Sequence, residues 1–132
     1  YLYFLNDKIF DNENDNSNVI YFEYLKYKFL FMGDASSNVE DYIMSKYNLS
    51  DITFFKVGHH GSSTSSSLKF LKAVNPSVAI ISVGNNNTYG HPSLQTLTSL
   101  KNMNIDTYRT DLNGTIILSS NGNIINITLS SK

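Results

Sequence analysis

Two hydrophobic rhythms alternate along the chain. Residues 19–24 (VIYFEY) and 27–32 (YKFLFM) are short runs of aromatic and β-branched residues, which predict the two strands of a hairpin. The turn between them, Leu25-Lys26, lacks the usual Gly or Asn. After Gly33-Asp34 the period lengthens. The stretch SSNVEDYIMSKYN offers a Ser cap, an acidic first turn and apolar residues at Val39, Tyr42, Ile43 and Met44. That pattern predicts a helix of about three turns. ITFFKV (52–57) reads as a buried strand, SSLKFLKAVN as a short helix closed by Asn75-Pro76, and VAIISV (78–83) as a further strand. HPSLQTLTSLKNMN predicts a helix with Pro92 at its first position and Leu94, Leu97 and Leu100 on one side. DTYRT reads as a short strand. The end of the chain predicts a hairpin turning at Asn121-Gly122 in a type I′ turn, with Leu118 opposite Ile125 and Ile116 opposite Ile127. From Asp34 onward strand and helix alternate, so the fold class is α/β, with helices packed on a sheet.

The polar stretch NDKIFDNENDNSN (6–18) predicts a loop between strands, with some mobility. The YLYFL before it is too short to be a domain. The 132 residues are enough for one domain with a core, and 41% apolar against 16% charged residues excludes a disordered chain. A net charge of -1 and the lack of a basic patch exclude binding to a polyanion by bulk attraction. Without cysteine there are no disulfides or thiolate metal sites. No apolar run reaches membrane-spanning length and no signal peptide is visible. The chain opens on Tyr1, and we read it as a piece of something longer, a single partial domain over residues 1–132.

In α/β folds ligands gather beyond the carboxyl ends of the strands. Three such exits carry chemistry here: Gly33-Asp34 after 27–32, Gly58-His59-His60-Gly61 after 52–57, and the loop GNNNTYGHP, with His91, after 78–83. Taken singly, each has a plain reading beside the chemical one: Asp34 as a turn residue, His59 and His60 as hydrogen-bonded loop histidines, and His91 as a helix cap. Together, all three histidines and a Gly-flanked Asp fall on one edge of the sheet. A carboxylate that can bridge two ions and a neutral imidazole suit a divalent metal. One Asp with one or two His makes at most half of a dinuclear site, so a metal held by these residues alone is expected to be loose.

The run Ser62–Ser67 reads first as a polar loop and helix cap. Its functional reading is a phosphate cradle of hydroxyls and N–H groups at a helix N-terminus, with Ser62 and Ser65 as candidate substrate contacts. A serine hydrolase using Ser62 beside His60 is disfavoured, because GHHGS is not a G-x-S-x-G elbow and no acid stands behind the histidine.

FLFMGDA, VGHHGSSTSSS, NNNTYGHPS and TYRTDLNGTI, in that order, resemble the second half of the metallo-β-lactamase-like domain of ComEC-type competence proteins, over about residues 16 to 120. The resemblance implies the later half of an αβ/βα sandwich, with a mixed sheet, flanking helices and a C-terminal hairpin. It implies a divalent metal centre of two ions, zinc or manganese. Asp34 matches the carboxylate that bridges the metals, and His59 or His60 matches the last metal-binding histidine, the two not separable from sequence. His91 matches a phosphate-contacting or second-layer group, and Tyr108, Arg109, Thr110 and Gly114 match a motif that fixes the last strands. The implied activity is phosphodiester hydrolysis by a metal-bound hydroxide, with Asp34, His60 and His91 as catalytic candidates and DNA taken up during competence as substrate.

The family's main ligand string, H-x-H-x-D-H, is absent from these 132 residues. The expectation is therefore a hydrolase as parent, embedded in a bacterial membrane, and a chain inactive by itself until the missing N-terminal half is supplied. The competing expectation is a non-catalytic module of the same fold. It would bind a partner, or a second copy of itself, through an exposed sheet edge.

Overall fold

The computed structural model describes residues 1–130. Six strands form one sheet in sequence order: β1 (Leu2–Phe4), β2 (Ile20–Tyr24), β3 (Tyr27–Phe31), β4 (Phe54–Lys56), β5 (Val78–Ile81) and β6 (Asp106–Arg109). The first three pair antiparallel. From β3 to β6 the pairs are parallel, and helices α1 (Ser37–Lys46), α2 (Leu68–Val74) and α3 (Leu94–Asn102) make the connections. A one-turn helix, α4 (Thr110–Asn113), leads to a separate hairpin of β7 (Ile116–Ser120) and β8 (Ile125–Leu129). The expected alternation is present, and the sheet is mixed.

Because side chains alternate across a strand, the register sorts the sheet into two faces. Tyr21, Leu30, Phe55, Ala79 and Ile81 belong to one core with Val39 and Ile43 of α1, Phe70, Leu71 and Val74 of α2, and Leu100 of α3. On the opposite face run two rows, Phe4-Ile20-Phe31-Lys56-Ile80-Tyr108 and Leu2-Phe22-Phe29-Phe54-Val78-Asp106. Phe22, Phe29 and Phe54 stand ring against ring there, at 5.5 and 5.4 Å. Leu2, Phe4 and Phe31 are exposed. The β7–β8 hairpin meets this half of the molecule at its turn, where the Tyr27 hydroxyl donates to the Asn123 carbonyl at 2.8 Å.

Serines cap the three longer helices. Ser36 accepts from the Asn38 N–H, Ser67 from Phe70 and Ser93 from Thr96, which satisfies donors at helix starts that lack intrahelical partners. The third cap moves the start of α3 beyond the sequence expectation. Pro92 lies outside the helix, after a cis His91-Pro92 bond, and Leu94 is exposed while Thr96 and Leu100 are buried. With Ser93 as cap the helix is rotated so that position 96, not 94, faces the core.

The polar stretch 6–18 is a loop, and it is tied down. It contains a single 3-10 turn at Glu13–Asn16, whose Asp15 is buried. Asn6 donates to the carbonyls of Asp15 and Ser17 at 2.8 and 2.9 Å.

The hairpin forms in a different register from the one expected. Leu118 pairs with Ile127, Ile116 with Leu129 and Ser120 with Ile125. The Asn121 side chain accepts from the N–H groups of Asn123 and Ile124, both at 3.0 Å, so the tip moves on to Gly122-Asn123. The shift in pairing is two residues, which keeps every side chain on its face.

Candidate metal centre

Parallel strands end on the same side of a sheet. The exits of β3, β4 and β5 therefore share one edge, and Asp34, the Gly58–Gly61 turn and the loop carrying His91 follow them directly. Asp34 sits in the turn after β3. Its N–H donates to Ser17 Oγ at 3.0 Å, and a Cβ on Gly33 would meet Ser17 Cβ at 2.8 Å. Only glycine lets the Asn/Asp-rich loop approach this closely, quite apart from its φ of +58°. The same loop grips the start of α1, since the buried Asp15 accepts from the Ser36 N–H at 2.8 Å.

The GHHG turn places both histidines in left-handed backbone, His59 at φ 47° and His60 at φ 56°. Each such residue costs about 1–2 kcal/mol, and strain of this kind gathers where the surrounding structure enforces it for a purpose. Three bonds enforce it here. The His59 N–H donates to the Gly33 carbonyl at 2.9 Å, the Ser62 N–H to the His59 carbonyl at 2.9 Å, and His60 Nδ1 lies 2.6 Å from the Ser82 carbonyl.

That last contact fixes the tautomer. A carbonyl only accepts, so Nδ1 carries the proton and Nε2 is left with its lone pair. His60 Nε2 faces Asp34 Oδ1 at 3.6 Å. Two acceptors pointing at one another call for a positive charge between them, either a second proton on the ring or a metal ion. Nitrogen and oxygen ligands held about 2.0–2.2 Å from one tetrahedral ion lie roughly 3.3–3.5 Å apart, close to the observed span. A backbone carbonyl behind a ligating histidine is also the usual support for such a ligand. The pair thus fits a borderline divalent cation in chemistry and spacing. It does not complete a site: among the described residues no group of three or more His, Asp or Glu side chains converges.

His59 and His60 part company at this point. His60 lies on one side of the turn, in a shallow pocket of ≈ 200 Å³ with Val83, Gly84, Asn87, Tyr89 and His91. His59 lines a broader polar cleft of ≈ 400 Å³ with Asp34, Asn12, Asn14, Asn38 and Thr64. Its ring meets His91 edge-on at 5.7 Å. Burial, and then the neighbouring His59 and His60, push the pKa of His91 down. The His91 loop is locked beside the turn, since the Ser93 N–H donates to the Gly61 carbonyl at 2.8 Å and a Cβ on Gly61 would meet Pro92 Cβ at 2.6 Å.

Residues 6–85 match the sequence profile of the Metallo-beta-lactamase superfamily, more than half of the chain. The chain belongs to that superfamily. It is 36% identical over 105 residues to ComE operon protein 3 of Bacillus subtilis (strain 168), covering 80% of this chain and 14% of that protein. It is 39% identical over 89 residues to the Competence protein ComA of Neisseria gonorrhoeae, covering 66% of this chain and 13% of that one. Recombination protein 2 of Haemophilus influenzae is 41% identical over 80 residues, 61% of this chain and 10% of that protein. The chain thus spans about a seventh or less of these relatives' lengths, and the likeness to competence proteins expected from the motifs is present.

A metallo-β-lactamase-type centre needs its loops held still, and several residues here hold them. Ser62 and Ser65 are 5% and 4% exposed. Ser62 Oγ is bonded to the Thr64 hydroxyl and N–H, and Ser65 Oγ donates to the Gly58 carbonyl at 2.9 Å. Their hydroxyls are turned into the loop. Beneath them the buried carboxylate of Glu40 accepts from the Ser66 and Ser67 N–H groups. Thr110 bridges both the N–H and the carbonyl of Val83, each at 2.8 Å, and Arg109 forms a two-pronged pair with Asp111. Burial pushes the pKa of Lys56 down, opposed by the charge of Asp34. Sequence reasoning missed Asp15, Glu40 and Asn87. A lone Asp or Asn in a polar run, or a Glu in a helix, carries no mark of the partner it will meet.

No helix among the described residues is long and apolar enough to cross a membrane.

Proposed function

We propose that this chain is the later half of a metal-dependent phosphodiesterase domain acting on DNA during competence-type uptake, with Asp34 and His60 supplying part of a dinuclear zinc or manganese centre. The observation that carries the reading is the pair of facing acceptors, Asp34 Oδ1 and His60 Nε2 at 3.6 Å, with the imidazole tautomer set by Ser82. When bound, a divalent cation supplies a water of lowered pKa and neutralises charge on the phosphate. Asp34 would provide the negative charge that holds the metal. His60 provides a neutral nitrogen whose direction does not wander, because its other nitrogen is tied. His91, on the same rim, lines the pocket beside His60 and can exchange a hydrogen bond with a phosphate held at the neighbouring Asp34–His60 pair or with its leaving group. Ser62 and Ser65 we assign to the scaffold of the turn rather than to the phosphate.

The remaining donors come, in this reading, from outside these 132 residues. The second face of the sheet, with its rows through Phe31 and Phe29, is where the other layer of the sandwich would pack. The parent is then a bacterial competence protein embedded in a membrane. A second reading, a non-catalytic module that binds a partner or another copy of itself, is favoured by the same two features: a two-donor site and the exposed edge strand β1.

Hydrolysis assays separate the two. The purified chain is expected to cleave neither DNA nor bis-p-nitrophenyl phosphate above background. A longer protein carrying the H-x-H-x-D-H segment is expected to cleave both with added Mn²⁺ or Zn²⁺, and to lose more than about a hundredfold of that rate on Asp34→Ala. Turnover by the 132-residue chain that vanishes in Asp34→Ala contradicts the half-site. An Asp34→Ala variant of the longer protein with unchanged activity contradicts the whole proposal.

A further inference from the structure

We propose that Tyr89 and His91 form a stacking platform for one unpaired nucleobase next to the phosphate held at Asp34 and His60, which makes the preferred substrate single-stranded; this rests on the phosphodiesterase reading above. Tyr89 is 82% exposed, a large ring left in water on a loop that the rest of the structure holds in place. It lies nearly parallel to His91, with ring centres 5.9 Å apart and planes at 16°. The two rings lie side by side in an offset, nearly parallel arrangement, and most of the Tyr89 ring is open to a ligand.

The loop beneath is built to keep this geometry. Asn87 Nδ2 donates to the carbonyls of Gly84 and His91 at 3.1 and 2.7 Å, and Asn87 Oδ1 accepts the His91 N–H at 3.0 Å. One side chain therefore closes the whole 84–91 loop. A Cβ built on Gly84 or Gly90 would meet nothing within 4 Å, so the backbone of the loop is open to solvent at both of its ends.

The shallow pocket between Tyr89 and His60 is of a size to seat one ring. At ≈ 200 Å³ it falls below the roughly 300–1,000 Å³ that encloses a whole drug-sized ligand. It has room for a ring system, not for a nucleotide with its sugar and phosphate. His60 lines the same pocket, so a phosphate at the Asp34–His60 pair leaves the adjoining base against Tyr89. Such stacking tolerates any base, because every base has a π-face. It does not tolerate a base still inside a duplex, which must first be unstacked at a cost. With a net charge of -1, the chain has no broad electrostatic track to hold DNA, and a stacked base replaces that grip locally.

The test is binding without turnover, by fluorescence anisotropy of a labelled oligothymidylate with added Zn²⁺ or Mn²⁺ on the 132-residue chain, which is expected not to cleave it. Tyr89→Ala is expected to weaken binding about tenfold, within the range that alanine substitution of a stacking residue produces, and Tyr89→Phe to restore it. The same oligonucleotide made abasic is expected to bind the unaltered chain about as weakly as the intact strand binds Tyr89→Ala, with no further loss when both changes are combined. A duplex is expected to bind less well than the single strand. Equal affinity of the unaltered chain and Tyr89→Ala, indifference to removal of the bases, or no measurable binding at all overturns the platform. Failure of the underlying reading shows separately: Asp34→Ala of the longer protein would keep its hydrolysis while the Tyr89 effects on binding persisted.

Discussion

Asp15 shows what a single side chain contributes to this site. It is 1% exposed, and its carboxylate holds the Ser36 N–H and reaches Asn38 Nδ2 at 3.4 Å. Through it the Asn/Asp-rich loop is joined to the start of α1, and the Ser17 hydroxyl of that loop steadies the turn bearing Asp34. Asp15→Ala leaves a donor without its partner, and the expected cost is about 1–3 kcal/mol, read from denaturant unfolding. Loss of less than a few tenths would mean that the loop is only laid on the surface. Nothing in the sequence separates Asp15 from its polar neighbours, since its burial is decided by Ser36 and Asn38, more than twenty residues away. Asp34 and the two histidines, by contrast, were legible, because a glycine-flanked polar residue at a strand exit is positioned by local rules alone. Which histidine faces Asp34 was not. Adjacent residues carry no hint of the left-handed backbone angles that bring His60 Nε2 to within 3.6 Å of Asp34 Oδ1 and leave His59 in the Asn-rich cleft that Asp34 also lines.

The elements repeat this division. Ser36, Ser67 and Ser93 announce their helices, because capping is a contact over two or three residues. The pairing of β7 with β8 departs from the one Asn121-Gly122 predicts because Asn121 caps the turn with its side chain instead of occupying its centre, a choice made by one oxygen. Helix α1 carries a further consequence. Its Glu40 is buried against the Ser66 and Ser67 N–H groups, and burial, opposed by those bonds, pushes its pKa above the ordinary 4.5. The folded chain then keeps a proton that the unfolded chain releases, so between the two pKa values stability falls as pH rises. This contribution is whole below pH 4.5 and is lost as pH climbs through the raised value. Melting temperatures measured across that interval should decline for the unaltered chain and run flatter for Glu40→Gln. An equal slope in both would remove Glu40 as the cause.

At the scale of the whole molecule, strand order decides the site. Four parallel strands side by side bring to one edge residues that lie up to 57 positions apart, from Asp34 to His91. The α/β alternation that produces this was visible in the hydrophobic pattern. The second apolar face was not, because short buried strands do not reveal which of their sides is covered. In the proposed reading that face and the two-donor centre go together, as the surface and the half-site that the other layer of the sandwich would complete. The central claim is that Asp34 and His60 grip one cation and that His59 does not. Titration calorimetry with Zn²⁺ or Mn²⁺ on the chain and three variants tests it most directly. The account predicts a dissociation constant above about 1 μM for the unaltered chain, loss of the binding heat in Asp34→Ala and in His60→Ala, and its retention in His59→Ala. Sub-micromolar binding of two ions by the unaltered chain, or undiminished binding by Asp34→Ala and His60→Ala, would contradict it.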